Sequence, residues 1–223
     1  MKKVIAMLIV SAALSTNLSE GAIKVEQFSI GSTEDKVSFS WPRLVGDQPE
    51  EEKQVVKLNR KLAEEVQDAF EDSYKIYATG LPEDRYQFKS TYEIPYHTDR
   101  YISVVQEFYV YTGGANGNIF HEDTTFDFVT QQKLEIEDLF LPGKDYKKIL
   151  TEKVMSQIEK IGKKEAYQFF KKVDSDTKMY FSSEGLVLLF SPYEVAPRVE
   201  GTVRITIPWQ ELKNILKEEF RSL

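Results

Sequence analysis

The sequence predicts an α+β fold in which antiparallel sheets pack with three main helices, at about 50–77, 145–172 and 208–221. Three observations lead there. Apolar residues recur at steps of three and four through Val55, Leu58, Leu62 and Val66, and again through Ile149, Leu150, Val154 and Ile158. Runs rich in aromatic and β-branched residues cover Tyr86 to Tyr96, Tyr101 to Thr112 and Ile119 to Val129. Helices and strands do not alternate strictly, which argues against a doubly wound parallel sheet.

Taken in order, Ile23 to Ile30 and Val37 to Trp41 read as short strands, with Gly31-Ser32 turning between them and Pro42 closing the second. Asp47, with Glu50 three positions on and Pro49 in the first turn, is the expected cap of the first helix. Its buried stripe runs from Val55 to Tyr74, and Glu51, Lys57, Lys61, Glu65 and Asp68 form a solvated face. Gly80-Leu81-Pro82 ends it, and the three strands that follow form an antiparallel meander with short connections at His97-Thr98-Asp99 and 112–118. In the middle strand, Ile102, Val104, Gln106, Phe108 and Val110 share the face expected to meet the core. The helix from Tyr146 is expected to break near Gly162. Strands at Met179 to Phe181, Leu186 to Phe190 and Gly201 to Ile207 precede a terminal helix opened by Pro208.

At 223 residues, 41% hydrophobic and 13% aromatic, the chain has ample material for a core. Lys2-Lys3, the apolar run Val4 to Val10 and Ser11-Ala12-Ala13 follow the order of a secretory signal, so residues 1–22 are expected to be a leader cleaved between 13 and 22. No later segment approaches the roughly 20 uninterrupted apolar residues of a membrane-spanning helix, so no span is expected in the mature chain. With no cysteine there is neither a lipid-attachment thiol nor a disulfide, and the product is expected to be secreted or periplasmic. The formal charge of −7, with Lys and Arg interleaved among acids, makes nucleic acid a poor partner.

Motifs for phosphate or dinucleotide binding and for a nucleophilic serine are missing, and cysteine catalysis is excluded. No cofactor, catalytic residue or metal ligand is assigned. His97 and His121 are far apart, and the cluster His121-Glu122-Asp123 would place neighbours on opposite strand faces. Acid pairs such as Glu122/Asp123 and Glu135/Glu137/Asp138 could serve glycoside hydrolysis only if two carboxylates faced one cleft. Two segments stand out as binding candidates. The hairpin tip carries Gly113, Gly114, Asn116, Gly117 and Asn118, more backbone freedom than a two-residue turn requires, and either packs closely against the fold, the reading the sequence favours, or offers its amides to a ligand. The loop Ser191-Pro192-Tyr193-Glu194-Val195-Ala196-Pro197, stiffened by two prolines, either packs Tyr193 in the core or presents Tyr193 and Glu194 at a rim.

As an ordered set, these signals resemble the extracellular module of RsiV-type anti-sigma factors, a PdaC-type N-terminal part followed by an RsiV-type C-terminal domain. The N-terminal resemblance rests on Ser40-Trp41-Pro42-Arg43-Leu44, Leu58-Asn59-Arg60 and the aromatic strands up to Tyr111. The C-terminal one rests on Gly113 to Asn118, Phe126-Asp127, Leu134 to Phe140, Tyr180-Phe181, Tyr193 to Pro197 and the closing Ile207-Pro208. The division it implies is 23–96 and 97–223. It implies an exported envelope module, found fused to membrane anchors or to a polysaccharide deacetylase domain, which in RsiV binds lysozyme. The sigma-binding and deacetylase parts are not in this sequence, and Asn116 stands where the family commonly has His. The expected function is a non-catalytic envelope binding module whose partner is lysozyme or a peptidoglycan-type glycan. A polysaccharide hydrolase using Asp/Glu pairs and a structural envelope protein are the alternatives, and oligomeric state is left open.

Overall fold

The computed structural model describes residues 23–31, 36–78 and 85–223. The expected leader, part of the Gly31-Ser32 turn and the Gly80-Leu81-Pro82 break lie outside them. The architecture is α+β. A six-stranded sheet runs in the order β1 (Ile23–Ile30), β2 (Val37–Gly46), β3 (Gln87–His97), β4 (Tyr101–Tyr111), β5 (Asn118–Asp127) and β6 (Gln132–Leu134). A second sheet holds β7 (Lys178–Phe181), β8 (Gly185–Phe190) and β9 (Val203–Pro208). The helices are α1 (Pro49–Tyr77), α2 (Tyr146–Lys160) and the single turn α3 (Trp209–Leu212). All the pairings with resolved register are antiparallel except β2 with β3, which is parallel because α1 lies between them in sequence.

The described residues divide into two compact units, one running up to Tyr92 together with Gln106–Ile119, the other of Glu93–Val105 with Phe120–Leu223. In the first unit, Leu44, Val55, Leu58, Leu62, Val66 and Phe88 are buried, and the rings of Phe39, Phe70 and Phe88 meet at centroid separations of 5.0 to 5.4 Å. Asn59 of α1 clamps Leu44 of β2, accepting from its N–H at 2.8 Å and donating to its carbonyl at 2.7 Å. Helix α1 covers the expected span, but its cap lies one residue later than expected. Glu51 Oε2 accepts from Gln48 N, so Gln48 and Glu51 form half of a capping box, while Asp47 pairs with Lys24. Tyr74, expected on the buried stripe, is 47% exposed, with Ser73 turned inward toward Tyr86. Glu65, expected in solvent, is largely covered beside Lys61.

Pro42 does not end β2, which continues to Gly46. Ser40 N donates to Ser90 Oγ and Leu44 N to Asn59 Oδ1, both away from β1. Pro42, two residues from each, lacks its donor on that same side and leaves the β1–β2 ladder intact.

The second unit has its own core, in which Phe181 meets Tyr96, Tyr101, Trp209 and Phe220 at centroid separations of 5.1 to 6.3 Å. Helix α2 begins at Tyr146, capped by Asp145, whose side chain accepts from Lys148 N. It ends at Lys160, well short of 172. Gly162 at φ 68° completes a Schellman motif, with Gly162 N bonding to Glu159 O and Lys163 N to Ile158 O. The terminal helix is also shorter than expected. Leu141 N donates to Ile215 O and Lys217 N to Leu139 O, so the tail pairs with the 139–141 segment and buries Ile215, Leu216 and Phe220. Those long-range bonds replace the helical ones that periodicity anticipated.

The face prediction for β4 holds for Ile102, Val104, Gln106, Phe108 and Val110, all buried, but Tyr101, Ser103 and Val105 are buried as well. Within the second unit, Val105 packs with Tyr180, Val187 and Leu189 of the small sheet. Register in that sheet depends on Gly185, opposite Pro208, where a Cβ would run into the backbone of Ile207 and Pro208. Gly185→Ala is expected to lower stability by about 3 kcal/mol, an overpacking cost that backbone cannot relieve. Urea unfolding of the two proteins would measure it.

Candidate functional site

The hairpin tip belongs to the first unit, and Tyr193 with Glu194 to the second. At the tip, Gly113 and Gly114 adopt φ of 96° and 105°, a region closed to most side chains. Tyr111 Oη donates to Gly114 O at 2.9 Å, and Gly117 is buried against the Tyr109 ring, where a Cβ would collide with it. Asn116 and Asn118 are exposed. The glycines therefore answer to backbone geometry and close packing.

In the second unit, Glu194 N donates to Ser191 O at 3.1 Å, closing a four-residue turn with Pro192 second and Tyr193 third. Tyr193 has φ 76°, the type II pattern whose third position favours glycine. A tyrosine there costs about 1 kcal/mol of backbone strain. Its ring gives no burial in return, since the residue is 59% exposed. Glu194 Oε2 accepts from Ser191 N at 2.7 Å and so locks the turn. Val195 and Ala196 anchor the loop in the core. Of the two readings of this loop, rim presentation is the one that the geometry favours.

Glu194 lines a groove of about 350 Å³ between the segments 170–178 and 189–195. Its floor is apolar, from Phe170, Leu189, Phe190 and Val195, and its rim carries Lys171, Lys172 and Lys178 with Asp174 and Asp176. Two of the three carboxylates are engaged, and Asp176 is exposed. Asp174 Oδ1 accepts from Asp176 N at 3.1 Å and Thr177 Oγ1 at 3.2 Å, in addition to the Glu194 bond. Lys178 lies 3.7 Å from Glu122, whereas Lys171 and Lys172 are exposed. Phe169, 42% exposed, precedes the groove and donates its N–H to Val195 O. Sequence reasoning missed these residues because Phe169-Phe170-Lys171-Lys172 reads as the end of an amphipathic helix. The adjoining Lys-Lys and Phe-Phe pairs were the available signal.

The other candidates prove structural. His121 is 1% exposed, its Nδ1 3.1 Å from Ser191 Oγ and its Nε2 3.4 Å from Thr202 Oγ1, so it ties β5 to both ends of the 191–202 loop. Asp123 is buried and accepts from Met179 N, while Glu122 turns toward Lys178. Asp138 and Glu135 cap the 3-10 turn Ile136–Leu139. Among the described residues no group of three metal-ligating side chains converges. Asp127, buried, pairs with Arg100 at 3.2 Å and accepts from Val129 N at 2.8 Å. Burial pushes the Tyr101 hydroxyl up to about 12. Two carboxylates are held below the usual range: Glu159 and Glu211 each accept a hydrogen bond from a lysine, Lys164 and Lys153.

Residues 31–119 match the family model described as deacetylase PdaC, and residues 137–210 match the model described as a protein of unknown function, DUF3298. A PdaC-like domain and a DUF3298 domain are thus present in one chain. The chain is similar to the peptidoglycan-N-acetylmuramic acid deacetylase PdaC of Bacillus subtilis strain 168, 28% identical over 144 residues. That alignment takes in 61% of this chain and 30% of the relative, so the chain spans about a third of the deacetylase. Its fold is similar to the crystal structure of a DUF3298 family protein from Pseudomonas aeruginosa PAO1, with a TM-score of 0.66 at 12% identity over 89% of this chain and 95% of the other. A DUF3298 family member from Bacteroides fragilis NCTC 9343 gives a TM-score of 0.59 at 16% identity over 90% and 97%.

Two measurements test this assignment of roles. Gly114→Val meets open space but must hold φ 105°, so it is expected to cost about 1–2 kcal/mol of stability by strain alone. Thermal melts would show it. His97 has its Nδ1 buried without a partner, and burial lowers its pKa below the ordinary 6.5 against the pull of Asp99. The unfolded chain then takes up the proton first, so this contribution is complete above about pH 6.5 and is lost as acid moves toward the lower folded value. The unfolding midpoint should fall between pH 7 and pH 5, and fall less in His97→Gln.

Proposed function

We propose that this chain is an exported, non-catalytic binding module of the bacterial cell envelope, and that its ligand is cell-wall glycan. The observation that carries the reading is the open groove lined by Glu194, apolar at its floor and charged at its rim, with Asp174 and Glu194 committed to turn hydrogen bonds. The similarity to part of a peptidoglycan deacetylase supports the same compartment and polymer. Export rests on the N-terminal basic, apolar and small-residue order. Among the described residues no helix is long and apolar enough to cross a membrane, which accords with release from that leader. The division into a PdaC-type part at 23–96 and an RsiV-type domain at 97–223 belongs to the same proposal.

A second reading has a specific basis. The formal charge of −7 and the resemblance to RsiV favour a basic, envelope-active protein such as lysozyme as partner. Hydrolysis of glycan is the less supported alternative, because an acid catalyst requires a carboxyl raised in pKa across a cleft from a second one, and the shifts of Glu159 and Glu211 run the other way. A purely structural envelope role leaves the strain at Tyr193 without a purpose.

The test is retention of the purified protein on peptidoglycan sacculi and on immobilised lysozyme at moderate salt, with soluble glycan products monitored in the same tubes. Retention on sacculi without release of fragments is expected. Release of reducing ends would turn the reading to hydrolase, and retention on neither support would overturn it.

A further inference from the structure

We propose that the free edge of β1 is a self-association surface, through which two copies of this chain pair antiparallel about a two-fold axis at Val25. The direction of its backbone groups follows from what β2 does. Leu44 N donates to Asn59 Oδ1 and Leu44 O accepts from Asn59 Nδ2, while Ser40 makes the same two bonds with Ser90 Oγ. Gly46 N donates to Glu52 Oε2, and Pro42 has no N–H to give. These four residues face away from β1, so their cross-strand partners Val25, Ser29, Ile23 and Gln27 turn their own N–H and C=O groups to the opposite side. That side is the end of the sheet. Among the described residues, none of those outward N–H and C=O groups has a hydrogen-bond partner.

The other strands at sheet ends are guarded. β6 is three residues long. On β7, Met179 N and Phe181 N are taken by Asp123 and Ser103, and on β9, Thr206 O accepts from Gln157 Nε2 at 2.6 Å while Arg204 pairs with Glu93. β1 has eight residues, no proline and an unbroken register with β2, which makes it the template for strand addition. Its side chains at Ile23 and Val25 are already buried in their own unit, so the strand is ordered before it pairs.

Self-complementarity identifies the occupant as a second copy. With the axis at Val25, Val25 meets Val25 and Ile23 meets Gln27 on either side, three hydrogen-bonded pairs that give about six backbone bonds. Between them, Lys24 of each copy stands opposite Glu26 of the other at a cross-strand spacing of roughly 4.5–5.5 Å. Both residues are exposed. Glu26 has no ion-pair partner among the described residues and lies beside Arg43 on β2, and Lys24 reaches Asp47 at 2.8 Å with both side chains about half exposed. Moving the axis to Glu26 would oppose Glu26 to itself, and moving it to Gln27 would oppose Glu26 to Phe28 and Lys24 to Ile30, so charge selects Val25. A contact along one strand stays below the roughly 1,200 Å² of a stable interface, and the dimer is therefore a weak one.

Sedimentation equilibrium of the full mature protein from about 5 to 500 μM is expected to show a monomer–dimer equilibrium with Kd of roughly 10–100 μM. Glu26→Lys opposes like charges twice and should weaken it by about tenfold. Lys24→Glu combined with Glu26→Lys restores the opposition of sign and should return the affinity to within about threefold of the parent. Gln27→Pro removes an N–H that points away from β2, so it should weaken the dimer by about tenfold while leaving the melting temperature within about 3 °C. A monomer throughout the range would overturn the proposal. So would a dimer that neither Glu26→Lys nor the folded Gln27→Pro protein weakens, or a charge exchange that restores nothing; where Gln27→Pro fails to fold, the two charge variants decide.

Discussion

The second unit depends on how one sheet edge disposes of its backbone donors. Met179 and Phe181, two apart on β7, cannot give their N–H groups to β8, because they point to the opposite edge. Asp123 Oδ2 accepts the first at 3.2 Å and Ser103 Oγ the second at 2.9 Å, with Ser103 Oγ also 2.9 Å from Thr125 Oγ1. All are buried, so each missing acceptor would leave an amide unsatisfied in a dry interior at a cost of about 1–3 kcal/mol. These bonds explain why β4 is buried on both faces over its first half and why polar residues stand in strands that otherwise read as core.

The same arrangement positions the groove. Lys178 is the residue before Met179, and Leu189 and Phe190 lie on β8, so the side-chain bonds that hold β7 also set the groove wall. His121, on β5, reaches Ser191 at one end of the loop and Thr202 at the other. The turn bearing Tyr193 is thereby braced at its base while its tip is open to solvent. Bracing below and exposure above suit the binding role proposed for this chain, since little conformational freedom would remain to be lost on binding.

Much of the fold was legible because local periodicity and tertiary burial agree. The stripe Val55, Leu58, Leu62 and Val66 is buried as its spacing requires, and Asp145 and Gly162 mark the ends of α2 through a cap and a left-handed glycine. Agreement failed where long-range bonds outcompeted local ones. The tail after Leu212 has helical spacing but pairs with 139–141. Pro42 looks like a strand stop, yet its missing donor falls on the side away from β1. Of the candidate binding residues, the tip glycines and the 191–197 loop were visible from composition, but the lysines at 171 and 172 were read as a helix end.

By itself the sequence determined the α+β class, the main elements, the glycine-dependent hairpin and the absence of cysteine chemistry, because these follow from residue type, spacing and backbone conformational preference. Only the tertiary structure decided which polar residues are structural and which face solvent. His121, Asp123 and Glu194 carry the chemistry of ligands and catalysts, but backbone donors and hydroxyls already engage them. Tyr193, which composition would place in a core, stands outside on a strained turn. The physical reason is that satisfaction of a polar group is a property of its three-dimensional neighbours, which spacing along one chain does not encode.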